Sequence, residues 1–311
     1  MIVYTDSPSF AEEYTPHRTK WQALVAAEID EPIRLLALLL MPEADIIYRA
    51  HLASDPQWQY GFFIEYASKS QFDILTRLCH LDRSLPDGIL CLAGSGEKFH
   101  GFKNRPWVAL AGNLHLSVFL APHQKIDHFW TGFTVLSAIS VIHTLDELQY
   151  LGETATIKWV NDILIDRAKV CGVLAQTQIQ GDLVCGVVLG IGLNVKSRPV
   201  IDATSYASRF AALADYMPAG KCDLTKIFSR LVYHLRQNYN LLLNGKYVDL
   251  INFYRARSYI LGKNVEILTD PTNGEPERII RGKAVSIGEN LELYFAERLE
   301  PVTEGRLAMI P

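Results

Sequence analysis

The feature that most constrains the fold is a series of strand-forming segments between residues 155 and 195. Stretches rich in Val, Ile and Leu are interrupted there by reversal signals at residues 166–168 and 180–182. Because strands joined by such short turns pair antiparallel, the pattern predicts a three-strand meander. A sheet of this kind needs a covering layer. The broad apolar stripe over residues 126–148, which includes Trp130, predicts a helix that packs on it.

Shorter patterns predict further elements of a sheet. Residues 60–67 and 89–93 are expected to form strands, and a helix capped by Ser70 follows the first of them. Residues 113–120 alternate between apolar and polar side chains, as a strand that is buried on one face does.

The C-terminal third of the chain and the N-terminal 58 residues show other sequence patterns. Two helices are expected over about 204–216 and 224–243. Beyond Leu261, short strands separated by glycine turns predict a small β-barrel of about fifty residues, with a boundary near 256–260. Residues 1–58 show no convincing pair of helices around a glycine turn, so a DNA-reading helix-turn-helix is not expected there.

Composition argues against several classes of protein. The 311-residue chain is 49% apolar, carries a net charge of −4 and has no run of Lys and Arg, which argues against a dedicated nucleic-acid binder. Its five cysteines are scattered without a CxxC spacing, as expected for reduced thiols in the cytoplasm. No signal peptide is recognisable, and the segment 126–148 is too polar to span a bilayer. We therefore expect a cytoplasmic protein that binds neither nucleic acid nor a membrane.

The first candidate for chemistry is Lys-Trp-Val-Asn-Asp at residues 158–162, followed seven residues later by Lys169. Alternation along a strand would place Lys158, Val160 and Asp162 on one face of the hairpin. Lysines that are partly buried there need an anion, because an unpaired buried charge is costly. The alternative is a surface hairpin with two solvated lysines.

A glycine-containing strand is the second candidate. Gly190, Gly192 and Asn194 share one face by period-two geometry, so a flat ligand could lie against the backbone and Asn194 could reach a phosphate or its metal ion. The alternative is a strand end that merely tolerates glycine. The segment is not a dinucleotide fingerprint, because it lacks the third glycine and the strand-to-helix context.

The third candidate is the loop that begins with Gly94, Ser95 and Gly96 and continues through cationic residues to Arg105. Such a loop suits phosphate binding, although an ordinary exposed loop has the same composition. Trp107 could stack on a base or anchor the loop in the core. Since no GxSxG or Cys-His spacing is present and the nine histidines do not cluster, we expect chemistry by positioning and charge neutralisation.

Taken together and in this order, these segments resemble the biotin protein ligases. That family carries a Lys-Trp-Pro-Asn-Asp motif with a lysine eight residues after its asparagine, which residues 158–162 and Lys169 match. The family's stretch of a small residue before Gly-Ile-Leu is similar to residues 171–174, and its Gly-Ile-Gly-x-Asn to residues 190–194. Its Ala-Asn-Leu-x-Leu-Ser strand resembles residues 112–117.

This resemblance implies a fold and a reaction. The fold is α/β, with a mixed sheet flanked by helices as in class II synthetases and a small C-terminal SH3-like β-barrel. The chain is divided into an N-terminal segment of unknown role (1–58), a catalytic domain (59–257) and the barrel (258–311). The implied reaction converts ATP and biotin, with Mg²⁺, into biotinyl-5′-adenylate. A lysine of a biotin carboxyl carrier protein or domain then takes the biotin; whether the chain forms a homodimer is left open.

The resemblance also implies roles for individual residues. Lys169 matches the lysine that contacts the biotin carboxylate and the adenylate phosphate, and it is the implied catalytic residue. Asn194 matches a contact to ATP and its Mg²⁺. The implied biotin contacts are Ser68, Lys69, Ser70, Cys91, Gly94, Ser95, Gly96, Gly172, Gly190 and Gly192. The implied ATP contacts are Arg105, Trp107, Lys158, Asn161, Asp162 and Asn194.

Three positions depart from the family pattern. The family's arginine-rich loop over the adenylate is replaced by residues 94–105, Cys91 stands where a biotin-binding glutamine is usual, and Lys69 replaces a threonine. Two alternatives therefore remain. One is a lipoate or octanoate ligase or transferase of the same superfamily, and the other is a non-catalytic ligand-binding homologue.

Overall fold

The computed structural model describes residues 1–16, 18–53, 57–81, 85–200, 209–268 and 279–309. Most of the strands in this part of the chain form one 10-stranded sheet with the order β2-β3-β1-β4-β5-β6-β10-β9-β8-β7. Its strands are β1 (Ile2–Thr5), β2 (Gln22–Leu24), β3 (Ile47–His51), β4 (Tyr60–Ala67), β5 (Ile89–Gly96), β6 (Leu114–Leu120), β7 (Thr156–Lys158), β8 (Asp162–Ile165), β9 (Ala168–Gln180) and β10 (Leu183–Leu193).

The sheet is mixed, which confirms the predicted fold class. The pairs β1–β4 and β4–β5 are parallel, whereas the other pairs, β2–β3, β3–β1, β5–β6, β6–β10, β10–β9, β9–β8 and β8–β7, are antiparallel. The helices are α1 (Pro8–Ala11), α2 (Arg34–Leu40), α3 (Gln71–His80), α4 (Phe129–Asp146), α5 (Leu224–Leu243) and α6 (Tyr247–Ala256). Helix α4 packs on β8, β9 and β10 with α5 and α6 outside it, while α3 covers β6, β9 and β10 from the opposite face.

The N-terminal segment extends this sheet. Strand β1 pairs in parallel with β4, and β3 pairs antiparallel with β1, so β1 separates β4 from the edge. Residues 1–58 thus contribute three strands to the sheet that carries the site, and the division of the chain into domains stays a prediction.

The predicted meander is confirmed as β8, β9 and β10. Asp166 and Arg167 both have positive φ, at 47° and 64°, in the tight turn between β8 and β9. The structure adds β7, and residues 159–161 form the turn that joins it to β8. The prediction that Lys158, Val160 and Asp162 alternate along one strand is therefore wrong. Because the chain reverses between them, Lys158 instead lies directly opposite Asp162.

Strand β6 is buried on both faces, contrary to the half-buried strand predicted from its alternation. It lies between β5 and β10 in the middle of the sheet, and each of its residues from Leu114 to Leu120 is buried. Its polar positions, His115 and Ser117, are buried beneath α3 because this face of the sheet is covered as well.

Helix α4 is confirmed, and it is buried on nearly all of its sides. Its buried Ser137, Ser140 and Thr144 donate hydrogen bonds to carbonyls four residues earlier, which satisfies hydroxyls that would otherwise be costly. Trp130 is the exception to the predicted stripe, since its side chain is 73% exposed in the first turn. Within the described residues, no helix has the length and hydropathy needed to cross a membrane.

The prediction for residues 204–216 is only partly testable, because residues 201–208 lie outside the described part. From Arg209 to Tyr216 the predicted helix is wrong. That stretch contains a single 3₁₀ turn at Leu213–Asp215, closed by the Asp215 carboxylate, which accepts from the backbone N–H of Ala212 at 2.9 Å. Helix α5 is confirmed over the predicted residues.

The C-terminal part forms a separate four-stranded antiparallel sheet with the order β13-β12-β11-β14. Its strands are β11 (Asn264–Leu268), β12 (Ile279–Ile287), β13 (Leu293–Phe295) and β14 (Arg306–Met309). The predicted short strands are confirmed, while closure into an SH3-like barrel stays a prediction. This sheet is tied to the β7–β8 turn because the Trp159 indole N–H donates to the Leu291 carbonyl at 2.7 Å.

Candidate active site

A cavity of about 260 Å³ lies on the α3 face of the large sheet. It is enclosed by α3, by β6, β9 and β10, and by the loop that follows β5. Its walls are rich in aromatic rings, contributed by Phe72, Phe99, Phe102, Trp107 and Phe210. Its polar groups include Ser70, Ser117, Asn161, Asp162 and Lys169. An apolar cavity with a few polar groups is the usual form of a small-molecule site.

Strands β7, β8 and β9 form two consecutive hairpins, together called the β7–β9 hairpin, which supply the charged end of this cavity. The Lys169 ammonium lies 2.6 Å from the Asp162 carboxylate, and Lys158 stands opposite Asp162 across the β7–β8 pair. Burial lowers the pKa of Lys158; the charges of Lys169 and Arg105 act in the same direction, and Asp162 opposes them. Lys158 and Lys169 thus lie beside one carboxylate with Arg105 close enough to act on Lys158, and such a cluster of cations favours binding of an anion.

A second, smaller cavity of about 60 Å³ lies between this hairpin and the C-terminal sheet. Lys158 lines it, as do residues 303–307 of the C-terminal part. Arg105, Asn161 and Asp162 line both cavities. The two cavities therefore adjoin at the cationic cluster, so that two ligands could meet there.

Asn161 holds the motif turn against β9. Its side-chain amide donates to the Val173 carbonyl at 2.6 Å, and its own carbonyl accepts from the Val173 N–H at 3.0 Å. These bonds fix the turn next to Gly172, so the asparagine has a clear structural role besides lining the cavities.

The glycines of β9 and β10 lie at the cavity, as period-two geometry predicts. A Cβ atom on Gly192 would lie 2.5 Å from the Trp107 ring, and one on Gly190 would lie 3.1 Å from Phe72. Gly172 lies close to the Lys169 side chain and to Trp107. The glycines therefore allow aromatic rings to lie against the backbone.

Of residues 68–70, which precede α3, Ser70 alone lines the cavity. The Ser70 hydroxyl accepts from the Asp73 N–H at 3.3 Å as the predicted N-cap, and it also lines the cavity. Ser68 borders a different groove, beside Tyr66, and Lys69 is exposed to solvent. The geometry brings only one of these three predicted biotin contacts into the site.

The predicted contacts on β5 lie outside the cavity. Cys91 is fully buried in the core beneath α3, and this burial raises the pKa of its thiol. A Cβ on Gly94 would lie 2.5 Å from Phe10, and one on Gly96 would lie 2.3 Å from the Ala67 carbonyl oxygen. Ser95 donates to the Glu65 carbonyl. These residues pack against neighbouring chain segments.

Asn194 is fully buried and lines neither cavity. Its side-chain amide donates to the Ala211 carbonyl at 3.1 Å, and its backbone N–H to the Val170 carbonyl at 2.8 Å. The geometry therefore gives it a structural position behind Lys169, and its predicted contact with ATP and Mg²⁺ stays a prediction.

The residues present fit a metal ion that arrives with a nucleotide better than a dedicated metal centre. No group of three or more His, Cys, Asp or Glu side chains in the described ranges is placed to hold a metal ion. Asp162 is a carboxylate that lines both cavities. Mg²⁺ commonly takes one or two protein carboxylates together with phosphate oxygens, which this arrangement can supply.

Sequence reasoning missed a histidine–aspartate pair at the cavity wall. His100 in the loop and Asp73 in α3 lie 2.7 Å apart. Burial works against the charged imidazole, but the bonds to Asp73 and to the Gly101 carbonyl, with the Asp73 charge, raise the pKa of His100. Asp73 stands three residues after the predicted N-cap, so its position near the start of α3 could have been read from the sequence.

His115 and Ser117 were also missed as residues of the cavity wall. The alternation of β6 does place them on one face. Because this face was expected to be solvated, the two residues were not predicted to line a cavity.

Comparison with known proteins finds a matching protein family and related sequences. The family described as "Biotin/lipoate A/B protein ligase family" matches residues 83–194. The bifunctional ligase/repressor BirA of Bacillus subtilis is 26% identical over 209 residues, which cover 67% of this chain and 61% of that protein. The biotin–[acetyl-CoA-carboxylase] ligase of Mycobacterium tuberculosis is 27% identical over 58% of this chain and 65% of its own length. The chain thus spans less than two thirds of these relatives.

Solved structures share the fold at low sequence identity. The biotin protein ligase from Aquifex aeolicus in complex with biotin and ATP aligns with a TM-score of 0.62 and 20% identity, over 81% of this chain and 99% of that one. The biotin protein ligase from Leishmania major in complex with biotinyl-5-AMP aligns with a TM-score of 0.52 and 16% identity, over 83% and 100% of the two chains. The residues that match the family model span β5, β6 and the β7–β10 strands, and the solved biotin protein ligases share the fold of this chain.

Proposed function

We propose that this protein is an ATP-dependent biotin protein ligase. It activates biotin as biotinyl-5′-adenylate and transfers it to a lysine of a biotin carboxyl carrier domain. The observation that carries this proposal is that two cavities adjoin at Asp162, with Lys169 in the larger one and Lys158 in the smaller one. A reaction between a carboxylate and a phosphate needs such a place, because two anions have to approach each other.

The larger cavity suits the acid. Its aromatic walls fit the apolar ring and chain of biotin, and Ser70 and Ser117 offer hydroxyls for the polar end. With the carboxylate directed to Lys169, the α-phosphate of ATP lies on the side of Lys158 and Arg105. A nucleotide is larger than the 60 Å³ cavity, so its binding requires the loop that bears Arg105 to move outward.

The first step is an in-line displacement at phosphorus. A carboxylate oxygen attacks the α-phosphorus, the bond to the β-phosphate breaks, and pyrophosphate leaves. Lys169 and Lys158 offset the negative charge of the two reacting groups, and fixed cations in a site shielded from water do so most effectively. Mg²⁺ carried by the nucleotide supplies further neutralisation of the phosphates, with Asp162 as the protein carboxylate within reach.

The second step is acyl transfer. The lysine amine of the carrier domain attacks the acyl carbon of the mixed anhydride, AMP leaves, and the nitrogen loses a proton. Until then the anhydride has to be kept from water. The loop after β5 serves this purpose, since it is tied to α3 by His100–Asp73 and to the C-terminal part by Lys103–Glu304 at 3.3 Å.

A second candidate is a lipoate or octanoate ligase. The observation that favours it is the position of Ser68, Lys69 and Cys91, which leave the cavity with few groups to bind a polar ring. A pyrophosphate-exchange assay with biotin, lipoate and octanoate, each with ATP and Mg²⁺, separates the candidates. Exchange with biotin alone supports the first, and exchange with lipoate or octanoate alone supports the second. No exchange with any acid supports a non-catalytic ligand-binding protein and overturns both.

A further inference from the structure

A row of three residues crosses the floor of the larger cavity on adjacent strands. His115 of β6 lies directly opposite Gly192 of β10, and Gly192 lies directly opposite Gly172 of β9. His115 is only 2% exposed. The row therefore presents one buried imidazole followed by two positions without side chains.

The Trp107 indole lies across this row. A Cβ on Gly192 would lie 2.5 Å from the indole carbons Cε2 and Cζ2, and one on Gly172 would lie 3.5 Å from Cζ3. The Lys169 ammonium lies 5.4 Å from the centroid of the Trp107 ring. The ring is thus within range of a cation–π contact with the lysine at the reacting end of the cavity.

Two hydrogen bonds define the state of His115. The Trp107 indole N–H donates to Nδ1 at 3.3 Å, so Nδ1 carries no proton. The proton then resides on Nε2, which lies 3.0 Å from the Leu110 carbonyl and donates to it. Burial lowers the pKa of His115 to about 4, in agreement with a neutral ring. A protonated ring would direct a second N–H at the indole N–H and lose this bond.

We propose that His115 is a positioning residue that acts through Trp107. Its neutral imidazole holds the indole N–H, which keeps the ring flat on Gly192 and Gly172 and so fixes one face of the space in which the Lys169 ammonium lies. His115 itself lies at the opposite end of the row from Lys169. Its consequence for catalysis rests on the proposed function, whereas its effect on Trp107 does not.

Two variants whose side chains both branch at Cγ test this role. His115→Asn places an amide oxygen near the position of Nδ1 and can still accept from the indole, whereas His115→Leu has a volume close to that of histidine and no acceptor. Their indole N–H signals can be followed in ¹H–¹⁵N spectra of the full-length protein, which has five tryptophans, with Trp107→Phe used to assign the signal. We expect the Trp107 signal to be retained and protected from hydrogen exchange in His115→Asn. In His115→Leu we expect it to shift and exchange faster.

The functional measurement is the rate of pyrophosphate exchange with the acid that the enzyme accepts. Loss of a well-placed cation acts mainly in the transition state, so kcat should fall roughly 10- to 100-fold in His115→Leu with a smaller change in KM. His115→Asn should restore most of the rate. His80→Leu removes a histidine at the end of α3 that pairs with Gln176, and it serves as a control for loss of a histidine.

The outcomes separate the two proposals. An unshifted, protected Trp107 signal in His115→Leu overturns the role of His115, whatever the enzyme does. A folded His115→Asn with the same loss as His115→Leu overturns it too, because volume would then matter and the acceptor would not. If no acid supports exchange in the wild-type protein, the proposed function fails, while the spectra still decide whether His115 holds Trp107.

Discussion

Two segments that the sequence assigned to ligand contacts have different positions in the structure. The β7–β9 hairpin brings Lys158, Asp162 and Lys169 to the cavities, whereas Gly94 and Gly96 of β5 pack against Phe10 and the Ala67 carbonyl. A charged side chain that is partly buried needs a counter-charge or a solvated cavity. A glycine satisfies close packing of backbone and rings just as well as it satisfies a ligand. The glycines of β5 therefore mark close packing, whereas Gly172, Gly190 and Gly192 line the cavity, so a glycine pattern alone does not distinguish the two.

The largest expected effect comes from the charged segment. Lys169→Ala should lower kcat for pyrophosphate exchange by about 10²–10³-fold, since one preorganised charge that stabilises the reacting anions is lost. Lys125→Ala is the matched control, because Lys125 forms an exposed pair with Asp182. Unchanged exchange in Lys169→Ala would contradict the role given to this lysine.

A substitution in the glycine-containing end of β5 should lower the stability of the protein and leave its activity unchanged. Gly94→Ala places a Cβ 2.5 Å from Phe10 and 2.8 Å from the Glu65 carbonyl oxygen, so the free energy of unfolding should fall by about 1–3 kcal/mol. The measurement is denaturant unfolding. Gly101→Ala is the control, because the nearest atom to its Cβ is 3.9 Å away. A raised KM for biotin with unaltered stability would show that Gly94 contacts the ligand after all.

A smaller effect is expected from the loop tether. The folded pKa of His100 is raised, so its pair with Asp73 stabilises fully below the unfolded value of about 6.5 and is lost as the pH rises through the folded value. At this partly exposed pair the contribution stays below about 1 kcal/mol. Hydrogen exchange of residues 97–106 should speed up on going from about pH 6 to pH 8 beyond the intrinsic rate. Asp73→Asn should remove this difference; if the variant behaves like the wild type, the pair does not hold the loop.

The smallest effect is expected at Lys69. Its side chain is exposed and lies outside the cavity, so Lys69→Ala should change KM for biotin by less than roughly twofold. Ser70→Ala is the comparison, because that hydroxyl caps α3 and lines the cavity. A large rise in KM for Lys69→Ala would restore the contact that the resemblance implied.

Several elements of the fold could be predicted because the sequence patterns that specify them are local. The turn at Asp166 and Arg167, the cap at Ser70 and the helix over 224–243 all depend on neighbours in sequence. The burial of β6 on both faces could not be predicted, because it depends on α3, whose sequence is distant from its own. The three N-terminal strands were missed for the same reason, since they are short and are stabilised by pairing with one another and, through β1, with β4.

For the site, the sequence identified candidate residues but not the face of the strand on which each side chain lies. It singled out Lys169, Asp162 and Trp107, which the structure brings to one cavity. It could not show that Cys91 faces the core, because a one-residue difference in register reverses the face of a strand. The pairing of His115 with Trp107 joins positions on a strand and a loop, and it becomes visible only once their backbones are placed.

The hydrogen bond from Trp159 to Leu291 has a consequence for how the chain can be divided. The indole N–H of the motif turn finds its acceptor in the C-terminal part, in a buried position. If the chain were cut near residue 257, this donor would lose its partner, and the turn would be left with the hydrogen bonds to Val173 and Tyr254. An isolated 59–257 fragment would therefore keep Lys158, Asp162 and Lys169 but would lack both this hydrogen bond and the C-terminal residues that line the smaller cavity.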